Sequence, residues 1–137
     1  MDANILAIAQ AARDAWNRGD YAGYLTLYHP DVVVHGYAGV EPGLASVRQF
    51  YEGFWAAFPN SQLHFDDTIV SGDTLVVRFR VEGVHHGPLL GIPPTGKPMT
   101  LPGITILHFA GDQCVERWSQ ADFMGMLVQL GVAPGLG

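Results

Sequence analysis

The spacing of apolar positions along this chain changes character at Pro59. Upstream, the period is helical. Ile5, Ala9, Ala12 and Trp16 fall on one face of a segment from Asp2 to Arg18, with Ile8 and Ala15 beside them; Asp2 is placed to cap its start and Gly19 to end it. Asp20 can cap a shorter second helix whose apolar side is Tyr21, Tyr24, Leu25 and Tyr28, with Pro30 as the stop. Three consecutive valines between Asp31 and Tyr37 predict a strand that holds His35, and Gly39, Pro42 and Gly43 mark the loop after it. The third helix has the strongest pattern, with Leu44, Val47, Phe50, Tyr51, Phe54, Trp55 and Phe58 at helical spacing up to Pro59. Its rings predict core, and Trp55 and Phe58 are candidates to line a cavity as well.

Downstream, the period is two. Leu63 to Val70 predicts a strand and Gly72-Asp73 a tight turn. Thr74 to His86 predicts a long strand in which Leu75, Val77, Phe79 and Val81 alternate with Val76, Arg78, Arg80 and Glu82. Gly83 within that run predicts a bulge that re-aims His85 and His86. The segment from Gly87 to Pro98 holds four prolines and three glycines and reads as a loop, after which Met99 to Phe109 resumes as strand. Past the Gly111-Asp112 turn, Glu116, Trp118, Gln120 and, if the chain stays extended, Asp122 share one face of a last strand. Phe123, Met126, Leu127 and Leu130 then recur at helical spacing, with Gly131 as a left-handed cap. Helices followed by an antiparallel meander predict an α+β domain, a curved sheet wrapped against helices, spanning residues 1–137 as one unit.

Composition narrows the function by exclusion. A chain of 137 residues that is 48% hydrophobic and 15% charged can bury one sizeable core, and its apolar surplus predicts a homodimer or higher homo-oligomer. A net charge of −6 without a run of lysine or arginine argues against nucleic acid and anionic membranes as partners. The single cysteine, Cys114, excludes an internal disulfide and a cysteine-rich zinc site, which suits a reducing compartment. With no basic N-terminal region and no membrane-length apolar run, a cytoplasmic protein is expected. The six histidines include no i, i+4 helical pair, so no metal is expected, and the glycine-rich loops of phosphate and dinucleotide sites are missing, so no cofactor is expected. Acid/base chemistry by carboxylate and imidazole remains. Asp122, where a strand carrying an indole meets a helix, suits two roles: helix N-cap, or general acid/base in a pocket with apolar walls.

The runs G-V-H-H-G from Gly83, G-I-P-P-T-G-K from Gly91 and G-D-Q-C-V-E-R-W-S-Q-A-D from Gly111 resemble the SnoaL-like polyketide cyclase (ester cyclase) family. R-G-D-Y from Arg18, P-D-V-V-V-H-G from Pro30 and A-F-P-N from Ala57 fit the same family in order. The resemblance implies a cone-shaped α+β fold shared with ketosteroid isomerases (cystatin-like), in which a mostly antiparallel sheet wraps N-terminal helices around an internal pocket. It implies intramolecular aldol ring closure, or a related enolisation, of a hydrophobic polyketide-like small molecule without metal or Schiff base. In that family an aspartate ending the last strand is the acid/base, and Asp122 holds this position. His35 and His85 occupy motif positions from which they could hydrogen-bond a substrate carbonyl or enolate. Gln120 is a candidate donor to an oxyanion and Trp118 a candidate wall.

A lone carboxylate removes only an already acidic proton, such as that of a β-dicarbonyl or anthrone-type carbon, and an apolar pocket helps by raising its pKa. The same fold hosts isomerases, epoxide hydrolases and non-catalytic binding proteins. An epoxide hydrolase would need an Asp–Arg–Asp arrangement, for which Asp122, Arg78 or Arg80, and Asp66 or Asp67 are available. The alternation leaves open which way His86 and His108 point.

Overall fold

The computed structural model describes residues 4–132. Four helices, α1 (Ile5–Asn17), α2 (Tyr21–Leu25), α3 (Leu44–Ala57) and α4 (Phe123–Gln129), accompany five strands: β1 (Tyr28–His35), β2 (Gln62–Ser71), β3 (Thr74–Val84), β4 (Pro98–Ala110) and β5 (Gln113–Ala121). The strands form one curved sheet in the order β1-β5-β4-β3-β2, wrapped against the N-terminal helices. β1 runs parallel to β5, and every other pair is antiparallel. The α+β architecture is the one the periodicities predict.

Local chemistry accounts for the boundaries. Asn4 caps α1, its Oδ1 accepting from the Ala7 N–H at 3.1 Å, while the expected cap, Asp2, lies outside the described residues. Asp20 caps α2 through the Gly23 N–H at 3.0 Å, as its position predicts. That helix stops at Leu25, however, so Tyr28 opens β1 instead of completing a helical face. Pro30 therefore sits inside a strand. It is tolerated because β1 is the edge of the sheet and its register with β5 shifts between Tyr28 and Val33.

The expected bulge at Gly83 is absent, since Gly83 pairs in regular register with Met99, and the long strand ends at Val84, short of His86. A Cβ at Gly83 would sit 3.3 Å from the Phe58 Cβ and 3.2 Å from that of Ser61, so close approach of the chain leaving α3 explains the glycine. The bulge lies instead in β2, between Phe65 and Asp67.

Alternation sorts the sheet into two faces. Leu75, Val77, Phe79 and Val81 of β3 and Leu101, Thr105, Leu107 and Phe109 of β4 are buried against the helices, while Ile104, Ile106 and His108 of β4 are exposed on the opposite side. β4 outruns β5 at its N-terminal end, and α4 covers that free edge. The Asp122 N–H donates to the Pro102 carbonyl at 3.0 Å, and the Gln129 side chain accepts from the Thr100 N–H at 2.7 Å and donates to its carbonyl at 2.9 Å. The helix thereby satisfies ladder groups that no strand pairs.

Candidate active site

The side of β5 that faces the helices is the one carrying Arg117, Ser119 and Ala121; Glu116, Trp118 and Gln120 face away from them. This reverses the expectation that Trp118 and Gln120 look into the pocket; Asp122 lies just past the end of the strand. Periodicity alone cannot choose between the two faces of a strand that alternates a tryptophan with an arginine. Indole favours burial and guanidinium favours water, yet here the guanidinium finds enough hydroxyl partners to be buried.

Between the sheet and α3 runs a two-part cavity. The outer chamber, about 610 Å³, is enclosed by the loop after β1, α3, the Pro88–Leu90 loop and the Phe123, Met126 and Leu127 side chains of α4. It shares Gly36, Tyr37, Phe50, Phe54 and Phe123 with an inner chamber of about 60 Å³, whose remaining lining includes Tyr24, Tyr51, Arg117, Ser119 and Ala121. The outer walls are mainly apolar, and among the described residues no carboxylate or imidazole lines either chamber.

At the inner end Arg117 is only 9% exposed and has no acidic partner among the described residues. Its Nε donates to Thr105 Oγ1 at 2.8 Å, and its Nη1 donates to the hydroxyls of Tyr24 at 3.1 Å, Tyr51 at 3.2 Å and Tyr28. The network extends outward. Tyr28 donates to Tyr51 at 3.1 Å, Ser119 donates to Tyr37 at 3.0 Å, and Tyr37 and Tyr51 share a hydrogen bond at 3.0 Å. Burial raises the phenol pKa of Tyr24, Tyr28, Tyr37 and Tyr51 above the usual value, against the opposing pull of Arg117, so all four are neutral at physiological pH. Burial works against the Arg117 cation, and the four tyrosines outweigh it, leaving its pKa above the ordinary arginine value.

The residues singled out from sequence are dispersed around this cavity. Asp122 is exposed and caps α4, one carboxylate oxygen accepting from the Gly125 N–H at 2.8 Å; its chain neighbours Ala121 and Phe123 both line the cavity. His35 lies on the outer face, stacked on Trp118 with ring centroids 5.2 Å apart and its Nε2 2.8 Å from Glu116 Oε2; His108 meets the same indole edge-on at 4.9 Å. Gln120 is exposed beside Ile104 on that face.

His85 is fully buried but away from the cavity, where its Nδ1 accepts from the Thr95 N–H at 3.2 Å and pins the loop that follows β3. Phe58 packs in the core beneath His85, and Trp55 stacks on Tyr21 and faces a surface groove between α2 and α3. The Asp–Arg–Asp set is not assembled in the cavity either, because Arg80 and Arg78 pair with Asp66 at 3.2 and 4.0 Å on exposed β2 and β3 positions. Among the described residues no three His, Cys, Asp or Glu side chains converge as metal ligands, and no helix is long and apolar enough to cross a membrane. Burial pushes the Cys114 thiol up to about 11, as befits core rather than a nucleophile.

Residues 6–130 match the family model of the SnoaL-like polyketide cyclases. The chain belongs to the SnoaL-like family. No curated protein sequence matches it. Among solved structures, AclR from Streptomyces galilaeus, a candidate hydroxylase, is similar at 28% identity and a TM-score of 0.86, over 100% of this chain and 91% of that one. IdmH from Streptomyces antibioticus, a candidate polyketide cyclase, is similar at 27% identity and 0.81, over 95% and 100% of the two chains. TsrD from Streptomyces laurentii is similar at 26% identity and 0.83, over 94% and 96%. The SnoaL-like cone thus extends over nearly the whole chain, and its cavity is the one described above.

Proposed function

We propose that this SnoaL-like protein enolises a flat, mainly apolar, polyketide-like substrate and closes a ring by intramolecular aldol addition, without a cofactor. The observation that carries the reading is the cavity itself: an apolar chamber of a size suited to a fused-ring molecule, ending in hydrogen-bond donors from Arg117 and the Tyr37–Tyr51 pair. A substrate carbonyl seated on those donors is polarised, which makes its α-proton easier to remove. The base comes from the rim, since among the described residues neither chamber is lined by one. Asp122 suits that role: it stands between two lining residues, and only one of its carboxylate oxygens is committed to the cap. The enolate carbon then attacks a second carbonyl of the same molecule, and the acid form of Asp122 returns the proton to the alkoxide.

Turnover of a panel of β-dicarbonyl polyketide mimics is the direct test. Ligand-induced thermal stabilisation without turnover of any of them would instead establish a binding protein, a second reading favoured by the exposure of Asp122. We further propose a homodimer that covers the outer face of the sheet, where Ile104 and Ile106 are exposed beside the Trp118 cluster.

A further inference from the structure

The inner chamber holds more hydrogen-bond donors than acceptors. Tyr51 accepts from Tyr28, and Tyr37 accepts from Ser119. Their mutual bond uses only one of the two phenolic protons, so the other has no acceptor among the described residues. Arg117 adds to the surplus. Its Nε and Nη1 are committed to Thr105 and the tyrosines, while Nη2 meets no acceptor among the described residues. The charge is likewise unbalanced. A guanidinium at least nine-tenths buried is normally paired with a carboxylate, and here its partners are neutral hydroxyls facing a chamber. A neutral carbonyl would satisfy one donor and leave the charge uncompensated. An oxyanion would satisfy both.

We propose that the cavity takes its ligand as an oxyanion: a flat apolar ring system bearing one ionised oxygen group, seated on Arg117 and on the one free phenolic proton of the Tyr37–Tyr51 pair before any chemistry occurs. The inference rests on the substrate pocket identified above and narrows its occupant from a polarised carbonyl to an anion. The inner chamber, about 60 Å³, accommodates little more than the charged group, which leaves the ring to the outer chamber of about 610 Å³. Two chemical sources supply such a group, a carboxylate or an ionised enol or phenol. Either is recognised in the ground state, so the charge contributes affinity and orientation, and in the second case it lowers the ligand's own pKa.

The test uses the unaltered protein and isosteric probes. At neutral pH, 1-naphthoate should bind at least tenfold more tightly than 1-naphthamide by calorimetry if the anion is a carboxylate. If it is an enol or phenol, the absorbance titration of bound 1-naphthol should shift downward by at least one pH unit relative to free naphthol. Success of either arm supports the oxyanion and identifies its source. Equal binding of acid and amide, or binding of neither, together with an unshifted naphthol titration overturns it. Arg117→Lys, which keeps the charge but loses the fork, and Tyr37→Phe should each weaken whichever probe succeeds. Anion preference without turnover would count against the cyclase reading alone, and turnover without anion preference against this inference alone.

Discussion

Asp122 carries two jobs that a single substitution separates. Asparagine caps helices about as well as aspartate, so Asp122→Asn should change stability by less than about 1 kcal/mol, read as an almost unaltered melting temperature. Loss of a general acid/base typically costs about 10² to 10⁴ in rate, and turnover of a β-dicarbonyl substrate should fall by that much. A stably folded Asp122→Asn protein with full activity would falsify the assignment. The buried tyrosines make a separate prediction. In the unfolded chain they release protons near the ordinary value of 10, whereas in the fold Tyr24, Tyr28, Tyr37 and Tyr51 hold them to higher pH. The unfolded state then binds fewer protons, so stability is intact below pH 10 and falls as pH rises beyond it, by up to about 1.4 kcal/mol per pH unit for each tyrosine. Chemical denaturation at stepped pH above 10, with tyrosinate absorbance followed in parallel, should show the loss of stability preceding phenol ionisation.

At the scale of elements, the chain leaving β1 meets the last residues of β5 at the wall of the inner chamber. Gly36 sits there with φ of 84°, and a Cβ on it would overlap the Ser119 carbonyl oxygen. Gly36→Ala combines a left-handed backbone with that clash and should cost about 2 kcal/mol or more, measured by urea denaturation. It should also weaken binding of any cavity ligand, because the peptide that must move lies beside Tyr37 and Ser119. Wild-type stability in that variant would mean that the turn relaxes freely and does not fix the wall. Helix α4 is the second positioning element. Seven residues have little helical stability alone, and its place depends on the Asp122 cap, burial of Met126 and the Gln129 bonds to the β4 edge.

For the whole molecule, the outer face of the sheet carries Ile104 at 54% and Ile106 at 38% exposure, flanked by the stacked His35, Trp118 and His108 rings. A self-complementary contact there would cover them, and light scattering at micromolar concentration should return twice the 14.8 kDa chain mass. Ile104→Lys should shift the species to monomer while leaving the cavity on the opposite face intact; a wild-type monomer under those conditions would sink the proposal.

The elements themselves were legible because hydrophobic periodicity is local. The helical run from Leu44, the two-residue alternation of β3 and the cap at Asp20 each depend on neighbours a turn or a pleat away, and each appears where the sequence predicts. The SnoaL-like motifs were likewise written in the chain, and they brought the cone with them. Which face of β5 turns inward was not written there. Trp118 and Arg117 exchange roles against their usual preferences because Tyr24, Tyr28, Tyr51 and Thr105 converge on the guanidinium from α2, β1, α3 and β4. Those residues lie up to 93 positions from Arg117 in the chain. Whether a buried charge is tolerable depends on partners assembled by the fold, so the tertiary structure alone decided where the site's polar groups lie.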